Sequence, residues 1–112
     1  VNTGEVMERQ IKEKLKNNPT AQTYYEIARY YQEQGVNYPK ALDYLKKAIA
    51  LGGDTYYFHR VKSLVEAELK DYPSAIQSAE TSLALAEKVG KDEFVRMNQK
   101  NIQKWKELIK NK

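Results

Sequence analysis

No cysteine occurs among the 112 residues, and histidine occurs once, as His59. Without cysteine there are no disulfides and no thiolate chemistry, and the compartment is left open. A lone histidine, no glycine-rich phosphate cradle and no clustered His or Asp spacing leave few parts for an active site. The acidic pairs Asp92–Glu93 and Glu26 with Glu33 fall at a helix start or on solvated faces, and nothing marks them as a tuned acid/base couple. The expectation is therefore a protein without catalysis, metal or cofactor. No stretch approaches the ~18 apolar residues that a membrane span needs, and no apolar signal segment opens the chain. The start, VNTGEVMERQ, lacks an initiator Met and enters a helical pattern almost at once, which reads as a piece excised from something longer.

What is present is globular in balance: 41% hydrophobic and 30% charged residues, enough for one small domain spanning 1–112. The net charge of +4 is local. From Ala86 onward eight Lys or Arg face four Asp or Glu. Such a tail can touch nucleic acid, but no nucleic-acid motif accompanies it, so a solvated helix face is the reading carried forward.

The main signal is a phrase written twice. NYPKALDYLKKAIAL (37–51) returns 34 residues later as DYPSAIQSAETSLAL (71–85), with Tyr38, Pro39, Ala41, Ala50 and Leu51 recurring as Tyr72, Pro73, Ala75, Ala84 and Leu85. Upstream of each phrase, Tyr24, Ile27, Tyr30 and Tyr31 match Phe58, Val61, Leu64 and Val65. Spacings of three and four make both segments amphipathic helices, and Ala41, Leu42, Leu45, Ala48 and Ile49 give the phrases themselves the same period. Pro39 and Pro73 suit a helix start, where a missing N–H costs nothing. Asn37 and Asp71 are expected to supply local side-chain bonds there. Gly35, Gly52–Gly53 and Gly90 act as stops.

A helix pair repeating at 34 residues, with small residues where helices cross, resembles the tetratricopeptide repeat. Tyr24, Ile27, Ala28 and Tyr31 stand at the large-apolar, Leu, small and Tyr positions of its first helix. Tyr38, Ala41, Leu45 and Ala48 stand at the corresponding positions around its second. Phe58, Val61, Val65, Tyr72, Ala75, Ala79 and Ser82 follow in the next unit. Two departures are visible: one extra residue in each turn, and Lys62 where the family has Gly or Ala, which calls for a long stem snorkelling outward. The resemblance covers roughly residues 5–88. It implies an all-α, right-handed α-α superhelix of about five helices: a truncated half repeat at 5–17, full repeats at 20–53 and 54–88, and a capping helix at 92–110. Phe94, Met97, Asn101 or Ile102, Trp105 and Leu108 form the stripe of that cap, with Lys100, Lys104, Lys106 and Lys110 toward water. A narrower likeness also exists. SLALAEKVGKDEFVRMNQKNIQKW is similar to the C-terminal helical region of certain bacterial proteins of unknown function, where it follows a β domain and an export signal. That likeness implies an extracytoplasmic location.

The family resemblance also implies a use: a partner peptide lying across the inner faces of successive first helices. Carried over, the groove is Gln22, Tyr25, Arg29 and Gln32 from the first unit, Tyr56, His59, Arg60 and Ser63 from the second, and Arg96 from the cap. The same carry-over adds Glu33 and Glu66, with Val95, Gln99 and Ile102 as further candidates in the cap. Tyr25 and Tyr56 fall off the core stripe, and three arginines line one side, able to meet a carboxylate by paired N–H bonds. The two-carboxylate clamp of chaperone-tail-binding members is not reproduced, because Tyr25 and Arg29 stand where it has Lys and Asn. The expected partner is a protein or peptide. The alternative is an accessory domain, packed on its parent chain or forming a homodimer through an uncovered apolar side of Met7, Ile11 and Leu15.

Overall fold

The computed structural model describes the backbone of residues 3–53 and 55–111 and the side chains of 8–53 and 55–111. The described chain is all-α, with six helices: α1 (Thr3–Lys16), α2 (Ala21–Gln34), α3 (Tyr38–Ala50), α4 (Tyr56–Glu68), α5 (Tyr72–Lys88) and α6 (Asp92–Lys110). The expected figure of about five is corrected to six, since a half unit, two pairs and a cap each contribute their full helices.

Short connections and small side chains set the packing. Three residues join α2 to α3 and three join α4 to α5, so each second helix folds back on its first. Ala41, Ala48, Ala75, Ala79 and Ser82 are fully buried, and their small size lets backbones approach closely. Each helix packs mainly on the next, and α2 also reaches α4. The core has two centres. Ile11, Ile27, Ala28, Tyr31, Leu45, Phe58, Val61 and Val65 form one across α1–α4, and Trp105 of α6 packs on Ala75 and Ala79 in the other. One glycine is obligatory. A Cβ on Gly53 would collide with the Phe58 ring and come within 2.7 Å of the Ala48 carbonyl, so only Gly allows α4 to follow α3 so tightly.

Several local expectations change. Asp71 caps α5 by accepting from the Ser74 amide at 3.3 Å, whereas Asn37 makes no such bond and adopts a left-handed φ of 51°. Asn tolerates that region, so the turn is made by backbone shape instead. Lys62 does not snorkel out. Its Nζ turns inward to Glu66 Oε2 and Ser78 Oγ, both at 3.0 Å. Leu108, expected in the α6 stripe, is exposed, and Asn98 is buried in its place. Asn98 Nδ2 donates to Ser82 Oγ at 2.9 Å, and that hydroxyl donates to the Tyr56 carbonyl at 2.6 Å, joining α6, α5 and α4. Ile11, expected on an uncovered face, is buried within the single chain, and Leu15 packs on the same cluster. The Met7 side chain lies outside the described residues.

Candidate functional site

α2, α4 and α6 present most of the expected groove residues, and their placement divides them. Tyr25 was expected off the core stripe, but its ring is buried at 9% exposure. It stacks on Phe58 at 4.6 Å and 3° and meets the edge of Tyr57 at 5.2 Å. The cause is the aromatic run Tyr56–Tyr57–Phe58 arriving on α4, which covers a position that helical spacing on α2 alone leaves open. Ser63 is fully buried, its hydroxyl donating to the Arg60 carbonyl at 2.6 Å within the helix. Glu66 is buried too, bonded to Lys62 Nζ and accepting from Ser78 Oγ at 2.6 Å. Gln22 and Arg96 are exposed; Gln32, Tyr56, His59 and Arg60 are half-buried.

The arginines differ from one another. Arg29 Nε donates to Glu33 Oε1 at 3.0 Å, and its Nη1 donates to the Tyr25 hydroxyl at 3.3 Å. Both bonds favour the cation and raise its proton affinity above the ordinary arginine value. Arg60 is held the other way. Burial first, then the charge of Arg29, lowers its proton affinity, and Tyr25 offsets only part of this. Its guanidinium lies 5.8 Å from the centre of the Phe94 ring, a cation–π contact that compensates weakly. Its Nε is buried without an acceptor, and Arg60 makes no ion pair among the described residues. Two guanidinium groups are thus held near one another, one neutralised by Glu33 and one not.

Beside this pair the floor is aromatic. Tyr56 meets Phe94 at 4.9 Å and Tyr57 at 5.4 Å. Phe94 was read from the sequence as packing in the cap, and its spacing carried no sign that a cation would sit on it. A second feature was missed outright: a half-open cleft of about 190 Å³ between the start of α4 and the end of α5, lined by Thr55, Tyr56, Tyr57, Leu85, Lys88 and Val89. Leu85, the last residue of the repeated phrase, and Val89, four residues on at the C-cap of α5, were the available signal. Among the described residues no group of three or more His, Cys, Asp or Glu could hold a metal. Among the same residues no helix is long and apolar enough to cross a membrane. Compared with protein-family models, curated proteins and solved structures, the chain matches none.

Proposed function

We propose that this chain is a non-catalytic interaction module of tetratricopeptide-repeat type, a superhelical stack of helix pairs that binds a carboxylate-bearing peptide segment across α2, α4 and α6. Helix packing chiefly between chain neighbours supports the stacked arrangement. So does a radius of gyration of 14.8 Å, against about 13 Å for a compact chain of this length. The observation that carries the binding reading is Arg60: a half-buried cation beside a second arginine, with an aromatic ring for support and no carboxylate partner among the described residues. Like charges kept together in partly dry surroundings are unfavourable, and a carboxylate from outside relieves the repulsion.

The test uses Arg29→Gln/Arg60→Gln, which leaves the core untouched; a charge at Tyr25 would instead disrupt the stack on Phe58. A fluorescent peptide array graded in acidic content, read by anisotropy, should show acidic peptides binding the wild type and at least tenfold weaker binding to the double variant. Helical circular dichroism should be unchanged. Equal binding by both proteins would overturn the reading.

A further inference from the structure

Of the two neighbouring arginines, the sequence equips only one with a carboxylate on its own helix face. Four residues after Arg29, one turn on along α2, stands Glu33; four residues after Arg60 stands Leu64. Arg29 Nε donates to Glu33 Oε1 at 3.0 Å, while Arg60 makes no ion pair among the described residues. Burial first, then the charge of Arg29, disfavours the Arg60 cation, so an anion arriving at one guanidinium is drawn by both.

A guanidinium meets a carboxylate best by two parallel N–H bonds, from its Nε–Nη2 edge or from its Nη1–Nη2 edge. On Arg60 the Nε is buried, which leaves the Nη1–Nη2 edge to meet a partner. On Arg29 both edges are part-used, because Glu33 holds Nε and the Tyr25 hydroxyl accepts from Nη1 at 3.3 Å. These two bonds are not kept equally firmly. Tyr25 is buried and stacked on Phe58, so its hydroxyl is a fixed anchor that holds Arg29 in place without help. The Glu33 side chain is 57% exposed. An ion pair so exposed, four residues apart on a helix, is weak, and its carboxylate turns into water at little cost.

We propose that Glu33 is a built-in competitor for the site: it occupies the Nε–Nη2 edge of Arg29, and a partner carboxylate takes that edge by displacing it. This rests on the binding reading above and names the residue that sets the strength of the site. Apparent affinity is reduced by the fraction of molecules in which Arg29 is released, so removing the competitor tightens binding about threefold for a pair of this kind. A residue that merely positioned Arg29 would have the opposite effect, and the sign of the change separates the two roles.

A fluorescein-labelled hexapeptide of alternating glutamate and glycine, with its glutamine counterpart as control, should be titrated by anisotropy against the wild type and four variants. Glu33→Gln should bind the glutamate peptide about threefold more tightly than the wild type does. Glu80→Gln, which removes the same charge at an exposed position on α5, should bind like the wild type. Arg29→Gln should bind more weakly, and Arg29→Gln/Glu33→Gln should gain nothing over it, because the competitor acts only through Arg29. Circular dichroism should be alike for all five proteins. Binding by Glu33→Gln no tighter than by Glu80→Gln, weaker binding than the wild type, or a gain that persists without Arg29 would overturn the proposal. A wild type that binds the glutamate and glutamine peptides equally would overturn the arginine reading and this proposal with it, so the two failures are seen separately.

Discussion

Tyr31 shows how much one residue's environment changes its chemistry. It is 1% exposed, and its hydroxyl donates to Glu8 Oε1 at 3.3 Å. Burial first, and then the Glu8 charge, disfavour the phenolate and push the pKa from 10.0 up to about 12. The folded state therefore holds this proton more tightly than the unfolded chain. The associated stability is fully present below pH 10 and is lost as pH rises through about 12. Urea unfolding from pH 9 to 11.5 should show the wild type losing stability relative to Tyr31→Phe, which has no proton to lose; parallel curves would contradict this. The core role of Tyr31 was legible in the sequence from the three-and-four spacing of Ile27, Ala28 and Tyr31. The bond to Glu8 was not, because it spans 23 residues and depends on where α1 lands.

At the scale of helix pairs, the two units solve one packing problem differently. Ala28, Gln32 and Tyr44 of α2 and α3 become Lys62, Glu66 and Ser78 of α4 and α5 at the same 34-residue offset. In the first pair Ala28 is fully buried, and Tyr44 packs on its cluster and stacks with Tyr24 at 5.8 Å. In the second the long residue is on the first helix, with Lys62 bonded to Glu66 and Ser78. The side chains of Lys62 and Glu66 are 19% and 6% exposed, so removing one leaves the other costly. Lys62→Ala should destabilise by about 3 kcal/mol. The triple variant Lys62→Ala/Glu66→Gln/Ser78→Tyr, which installs the first unit's set, should cost less than about 1.5 kcal/mol. Chemical denaturation of the single and triple variants decides it, and a triple variant as damaged as the single would refute the exchange.

Across the whole molecule, α1 packs mainly on α2, and its one described buried side chain is Ile11 at 5% exposure. Opening α1 therefore exposes little, and the remaining helices keep their contacts. Ile11→Ala should remove about 2–3 kcal/mol of local packing. Hydrogen exchange should speed up in α1 and leave α4–α6 unchanged; uniform loss of protection would show a single cooperative unit. Trp105 at the other end belongs to the second core centre, with Ala75 and Ala79. Two centres sharing α4 make that helix the part on which both ends depend.

The sequence by itself determined the helices, because periodicity, proline and glycine act within a few residues. It also determined most of the buried stripe, from Ile27 through Ala79. It did not determine the face we propose for binding. Tyr25 became core because Tyr57 and Phe58 close over it from another helix. Arg60 keeps no ion pair among the described residues, and Glu66 is bonded to Lys62 and Ser78 within the second pair. Phe94 became the support of Arg60, and Leu85 with Val89 became one side of a cleft, only when α6 and the end of α5 were set against α4. Hydrophobic spacing tells which side of a helix is dry; which neighbour dries it, and which charges are left unmatched, is decided where three helices meet.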